Sequence, residues 1–236
     1  MLPNFGTLNE FKREKWITDR LLEIPKGMTI LDAGAGDQHH RDACKHLKYT
    51  SQDFGKYDGK GNDVGLQTNV YDYGKLDITS DIISIPVWNN SFDYILCTEV
   101  LEHIPHPELA IKEFSRILKE NGRLILTAPF CSLTHFAPYH FVTGFNSYWY
   151  ENTFKDFDIK IISIEPYGDY FEYLAQEIHR IIPVAVQYCN VSKVHRDDIK
   201  ALEDVILMLE KYSKIKNDSW ELLNFGFLVL AEKIGQ

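Results

Sequence analysis

Apolar and polar positions alternate along the chain in two rhythms, one close to 3.6 residues and one made of short unbroken apolar runs. Over residues 8–24, Phe11, Trp16, Ile17, Leu21 and Leu22 lie among charges at roughly helical spacing, which predicts an amphipathic helix. Pro25-Lys26-Gly27 ends it. Thr29–Ala33 reads as a buried strand, followed by a Gly-x-Gly turn and a predicted helix over residues 38–47. A short strand over residues 49–52 runs into Asp53. Residues 55–75 are rich in Gly, Asp and Asn, have little periodicity, and read as a long loop.

The alternation then resumes. Residues 75–85 predict a third strand and its exit, Phe92–Thr98 a fourth, and residues 107–119 an amphipathic helix. In "NGRLILTAPF" an Asn-Gly ends that helix and a fifth strand follows. A helix over residues 146–157, a strand over 159–164 and a helix over 169–182 come next. Residues 183–220 carry no clear pattern beyond a helix over 197–211, and "NFGFLVLAEK" closes as a strand. Strands alternating with helices predict an α/β fold, a doubly wound and mainly parallel sheet. The 236 residues fit a single domain, with an N-terminal helical segment over residues 1–26.

Composition narrows the class. Hydrophobic residues make up 44% and charged residues 25%, the balance of a soluble globular protein. Net charge is −9 without a long basic run, so no nucleic-acid partner is expected. Cys44, Cys97, Cys131 and Cys189 have neither CxxC spacing nor a dense disulfide pattern, which fits thiols in a reducing compartment. The N-terminus lacks the apolar core of a signal peptide, and no 18-residue apolar stretch could span a membrane. The expected location is the cytoplasm. Aromatic residues, 13% of the chain, crowd between Phe130 and Tyr173, which suits a ring-lined pocket as well as a core.

The stretch "TILDAGAGDQHH" carries the first chemical signal. In such sheets ligands bind beyond the carboxyl ends of the strands, and Asp32-Ala33-Gly34-Ala35-Gly36 lies at that place. Glycines let a ligand approach the backbone closely. A lone Gly-x-Gly also suits a plain tight turn. Asp53 ends the second strand 17 residues beyond Gly36, where a carboxylate can accept both ribose hydroxyls, an arrangement that also serves NAD. The third glycine of G-x-G-x-x-G is missing, however. Asp32 would repel a pyrophosphate and suit a ligand bearing an ammonium and a sulfonium, so the electrostatics favour S-adenosylmethionine over a dinucleotide.

With these residues the chain resembles the Rossmann-like class I S-adenosylmethionine-dependent methyltransferases, in particular the type 11 methyltransferase domain. "ILDAGAGDQ" resembles that family's first motif, and residues 80–130, "SDIISIPVWNNSFDYILCTEVLEHIPHPELAIKEFSRILKENGRLILTAPF", resemble its central half almost continuously. The resemblance implies a seven-stranded sheet with an antiparallel last strand, and makes residues 183–220 a family-variable helical insertion before that strand. It places Asp32, Gly34, Ala35 and Gly36 around the methionine part of the cofactor, with Asp53 on the ribose and Phe54 beside it. It gives Asp81 and Ile82 the adenine amino group and ring face, and sets Cys97, Thr98 and Glu99 beside the sulfonium. Asp81 as a helix N-cap and Ile82 as plain core are the bland alternatives.

Two clusters could assist transfer. If Glu99-Val100-Leu101-Glu102-His103 is helical, Glu99, Glu102 and His103 share a face that could bind a divalent metal such as Mg2+ and acidify a bound hydroxyl. That E-x-x-E-H spelling is similar to metal-assisted O-methyltransferases, but it is also common in type 11 domains as a structural or substrate-orienting element. In "HFAPYHF", His135 and His140 lie just after the fifth strand, where either could take a hydroxyl proton at neutral pH or complete a metal site. His39, His40, Cys44 and His46 have metal-ligating side chains but lie along the predicted helix after the turn, and no zinc site is expected there. The fourth strand ends in Cys-Thr-Glu instead of the N-P-P-Y or D-P-P-Y with which nucleic-acid amino-methylating enzymes grip a base. The expected reaction is O-methylation of a small-molecule or carbohydrate-linked acceptor. N- or C-methylation and a non-catalytic cofactor-binding subunit are the alternatives, and the sequence does not indicate an oligomeric state.

Overall fold

A computed structural model of the chain describes residues 2–235. Strands β1 (Thr29–Ala33), β2 (Lys48–Asp53), β3 (Ile78–Thr79), β4 (Phe92–Thr98), β5 (Leu118–Pro129), β6 (Ile159–Tyr167) and β7 (Gly226–Lys233) form one sheet in the order β3-β2-β1-β4-β5-β7-β6. The pairs from β3 to β5 are parallel and β7 runs antiparallel to β5. The chain winds outward from β1 to β3, then returns to lay β4 on the other side of β1. The carboxyl ends of β1 and β4 therefore flank the crevice where strand order reverses.

The central strands read as unbroken apolar runs because both faces of the sheet are covered. Leu31 and Ala33 of β1, Ile95 and Cys97 of β4, and Leu124 and Leu126 of β5 bury on one face. Helix α2 (Pro107–Ile117) adds Ala110, Ile111, Phe114 and Ile117 to that core, and each of the three larger side chains contributes about 1.5–3 kcal/mol by leaving water. Ile30, Leu96 and Ile125, one residue out of phase, bury on the other face beside Ile17 and Leu21 of α1 (Asn9–Leu22). Pro107 at the start of α2 presets its first φ, and Asn146 caps α3 (Ser147–Lys155) by accepting the Trp149 N–H at 3.0 Å.

Contacts divide the chain into two compact units, residues 15–165 with 226–235 and residues 2–14 with 166–225. The second unit contains α4 (Tyr170–Cys189) and α5 (Arg196–Ser213). One carboxylate joins them: Asp169 accepts the Glu172 N–H at 2.8 Å as the cap of α4 and the Ser213 hydroxyl at 2.7 Å at the end of α5. Helix α4 passes through Pro183 and runs seven residues beyond the predicted end at 182, until Asn190 caps it in a left-handed conformation. No helix among the described residues is long and apolar enough to cross a membrane.

Three more predicted elements depart from expectation, each for a local reason. The helix over 38–47 is a single 3-10 turn, His39–Asp42, entered from Gln38 at φ 62°. The Asp37 carboxylate accepts the His39 N–H at 3.2 Å and so competes with helical bonding there. The third strand shrinks from 75–85 to Ile78–Thr79. Asp77 takes the Ser51 N–H at 2.9 Å in place of a backbone carbonyl, and Asp81 starts a turn by accepting the Ile83 N–H at 3.2 Å. Asn121-Gly122 does not end a helix. It lies in an irregular stretch of β5, where pairing jumps from Phe92–Leu118 to Tyr94–Arg123 and Asn121 adopts φ 60°.

Candidate functional site

All the sequence-predicted site residues lie in the unit of residues 15–165. The turn after β1 is shaped by two glycines at positive φ, 77° at Gly34 and 53° at Gly36. A β-carbon at Gly34 would strike Val100, and one at Gly36 would strike the Tyr71 hydroxyl, so the turn is closely overlaid on both sides. Gly34 and Ala35 donate to the Gln52 carbonyl at 2.8 and 2.9 Å, which fixes the turn against the end of β2.

Two buried acids lie at this turn. Asp32 is 2% exposed and accepts the Tyr49 hydroxyl at 2.6 Å; burial pushes its pKa up to about 6 against the opposing effect of that hydrogen bond. Asp53, 7% exposed, accepts the Gly36 N–H on one oxygen and the Gly55 N–H on the other, each at 3.0 Å. Burial raises its pKa too, against those N–H groups. The Phe54 N–H acts on the same carboxylate, and the two oxygens together still have acceptor capacity beyond these N–H groups, as an acceptor of ribose hydroxyls needs. The ring of Phe54, the next residue, meets Tyr139 edge-on at 5.0 Å. An acid with spare acceptor capacity beside a glycine turn fits the nucleoside part of S-adenosylmethionine, and the buried Asp32 charge fits a cationic ligand.

The other predicted contacts divide by burial. Ile82 is buried in the main core, while Asp81 is exposed and caps a turn with one carboxylate oxygen. The Cys97 thiol points into the core, where burial holds it well above the usual thiol range. Thr98 lies 3.3 Å from the buried His40 Nε2.

Past β4 the expected helical face does not form. Glu99 adopts φ 54°, and only Leu101–His103 make a 3-10 turn. The Glu99 carboxylate accepts the Thr127 hydroxyl at 2.9 Å on β5. Glu102, His103 and His135 converge instead. The Nε2 atoms of His103 and His135 lie 3.8 and 3.9 Å from the same Glu102 oxygen, and Glu102 is 1% exposed. One ligand atom from each of the three lies within 4.8 Å of the others.

Backbone carbonyls fix both tautomers: His103 Nδ1 donates to Tyr139 at 2.6 Å and His135 Nδ1 to Leu133 at 2.8 Å. Each ring therefore turns its Nδ1 to the backbone and keeps its Nε2 on the Glu102 side. Burial, followed by the nearby His135 and His140, lowers the His103 pKa to about 3, so this ring is neutral. Burial and His135 also lower His140. The Ser132 hydroxyl donates to the Thr143 carbonyl at 3.0 Å and so accepts His140 Nε2–H at 3.1 Å, which leaves the lone pair on His140 Nδ1.

The sequence reading missed the residues that cover this edge. Tyr57, Tyr71 and Tyr73 come from the long loop, and Phe136 from the loop after β5. Tyr57 stacks on Phe136 at 4.4 Å, with Tyr71 edge-on to both. "YDYGK" and "HFAPYH" are aromatic runs without a period, so aromatic density was the only available signal.

Residues 9–164 match the family described as a methyltransferase domain. A 49-residue stretch is 43% identical to an uncharacterized protein of Methanocaldococcus jannaschii, and the chain spans only about a fifth of that relative's length. A Galdieria sulphuraria structure provisionally named a sarcosine dimethylglycine methyltransferase is similar over 97% of this chain and 86% of its own, with a TM-score of 0.56 at 14% identity. A Haemonchus contortus phosphoethanolamine N-methyltransferase 2, solved with phosphomonomethylethanolamine and S-adenosylhomocysteine, is similar over 95% of this chain and 53% of its own, with a TM-score of 0.51 at 18% identity.

Proposed function

Since the chain belongs to the methyltransferase-domain family and has the fold of its class I S-adenosylmethionine-dependent members, we propose that it methylates an oxygen of a small-molecule or carbohydrate-linked acceptor. S-Adenosylmethionine, when bound, supplies a methyl group already activated on a sulfonium. The chain's task is to bind and orient the two partners, which can account for about 7–11 kcal/mol of the barrier, and to receive a proton. Asp53 would hold the ribose through its spare lone pairs, with Phe54 beside it. Asp32 would favour the cationic end from beneath Gly34, Ala35 and Gly36. Ile82 and the free oxygen of Asp81 are the candidates for the adenine, and Thr98 and Glu99 for the methionine end. Cys97 would contribute through its backbone alone, because its side chain belongs to the core.

The convergence of His135 on Glu102 carries the oxygen assignment. A hydroxyl acceptor gains most from a base, and His135 offers an Nε2 lone pair fixed by the Leu133 carbonyl. The Glu102 carboxylate, 3.9 Å away, favours the positive charge that a proton would bring to that ring. His103 is too weak a base at neutral pH for this task, and its ring serves to hold the cluster. His140 Nδ1 is the second candidate base.

Those same three groups favour one other reading. Two imidazole nitrogens and a carboxylate oxygen within 4.8 Å of one another form a donor set for a divalent cation, with Nδ1–H bonds to backbone carbonyls of the kind that orient histidine ligands. The ligands in this reading are Glu102, His103 and His135; Glu99, a ligand in the sequence-based trio, is bonded to Thr127 instead. Transfer of labelled methyl into metabolite extracts, with and without chelator, separates the readings. Full turnover in excess chelator supports His135 as base. Loss reversed by Mg2+, and reproduced by Glu102→Gln, supports the cation. Label entering only amines or carbon would overturn the oxygen assignment, and cofactor binding with no transfer to any extract would favour a non-catalytic subunit.

A further inference from the structure

At the glycine turn most N–H groups have partners that are parts of the fold. Gly34 and Ala35 donate to Gln52, Gly36 to Asp53, and Gln38 to the Ala35 carbonyl at 2.8 Å. Asp37 differs. Its N–H lies beside the hydroxyl of Tyr71, a side chain from the loop of residues 55–75 that sits over Gly36 where a β-carbon would stand. A ligand that places a polar group on the Asp37 N–H, or lies across Gly36, must take the place of the Tyr71 hydroxyl.

The loop carrying Tyr71 is joined to the histidine cluster. The Phe136 ring stacks between Tyr57 (4.4 Å, 15°) and His103 (5.1 Å, 19°), with Tyr71 at its edge at 5.7 Å. Backbone bonds bracket His135: Leu66 N–H to the Thr134 carbonyl at 2.9 Å, Phe136 N–H to the Leu66 carbonyl at 3.0 Å, and Asn62 N–H to the Ala137 carbonyl at 3.1 Å. The two segments lie so close that β-carbons at Gly61 and Gly65 would strike the carbonyls of Ala137 and Thr134. Tyr71 is therefore linked to His135 through both rings and backbone.

We propose that residues 57–73 form a cofactor-responsive strap, in which the cofactor displaces the Tyr71 hydroxyl from the turn and the strap transmits this to residues 133–137, resetting His135 against Glu102. This rests on the S-adenosylmethionine reading of the same site and makes Tyr71 a positioning residue. The site would register cofactor before it offers its base to an acceptor.

The test is S-adenosylhomocysteine titrated calorimetrically into the full chain and into Tyr71→Phe, with hydrogen exchange measured on both proteins. Tyr71→Phe keeps the ring and removes the competing acceptor, so it should bind roughly two- to tenfold more tightly, the effect of one neutral hydrogen bond. In the wild type the ligand should change exchange in residues 57–73 and 133–137 together. Equal or weaker binding by Tyr71→Phe, or a response in which residues 133–137 do not change, overturns the strap while leaving the cofactor reading intact. Absence of binding to the folded wild type overturns both.

Discussion

Replacing Asp32 by Asn should make the free protein more stable and its cofactor binding weaker. The carboxylate is 2% exposed, and burial moves its pKa from 3.8 to about 6. Between those values the folded chain binds more protons than the unfolded one, so stability falls as pH rises through that window and then levels off. At 1.36 kcal/mol per pH unit, the ionised group costs the free protein about 3 kcal/mol above about pH 6. Asparagine retains an acceptor for the Tyr49 hydroxyl and removes the charge. Denaturant unfolding from about pH 4 to about pH 8 should show the variant gaining on the wild type across that range, by up to about 3 kcal/mol at the upper end. A cation at the turn recovers some of the cost, so S-adenosylmethionine should bind Asp32→Asn less tightly, and bind the wild type better as pH rises through about 6. Parallel stability curves for the two proteins would refute the burial argument. Equal affinity with diverging curves would refute only the assignment of Asp32 to a cationic ligand.

The other expectations concern separate parts of the same unit. Asp53→Ala should weaken S-adenosylhomocysteine binding by about 1–3 kcal/mol in calorimetry, because it removes a charged acceptor; unchanged affinity would reassign the residue to holding the Gly36 and Gly55 N–H groups. His135→Gln should lower turnover by roughly 10²–10⁴-fold in a methyl-transfer assay while the cofactor dissociation constant stays put, and full activity would eliminate this ring as base. Phe114→Ala, at a fully buried position of α2, should cost about 3–5 kcal/mol in denaturant unfolding, and a much smaller loss would mean that the core closes over the gap.

What the sequence disclosed follows from the range of the interactions involved. Strands β1 and β4 were legible to the residue because each is an apolar run whose alternate side chains enter cores on opposite faces of the sheet. The glycine turn after β1 and the place of Asp53 at the end of β2 were legible because they depend on neighbours in the chain and on one strand pairing. The acid–histidine cluster was only half legible. Glu102 and His103 were found by their spacing, but the left-handed Glu99 breaks the helical register that would have made it the third member. His135 takes that place through a loop fixed by residues about 70 positions earlier, and periodicity carries no information about such a contact. The strap escaped notice for the same reason, since Tyr57, Tyr71 and Phe136 owe their arrangement to each other.

The carboxylate of Asp77 has a bearing on solubility. The outer side of β2 is an open edge along most of its length, because β3 pairs only with Gln52 and Asp53. A bare edge of that kind invites strand addition by another chain. Asp77 occupies the Ser51 N–H and also accepts the Ser51 hydroxyl at 3.0 Å, with Arg41 beside it at 3.3 Å. The Ser51 N–H, foremost among these partners, holds its pKa below the usual carboxylate value, so the charge persists into mildly acidic solution. An intruding strand would have to expel a charged oxygen from the donor it needs. One charged side chain thus occupies the edge donor next to the two residues that pair with β3.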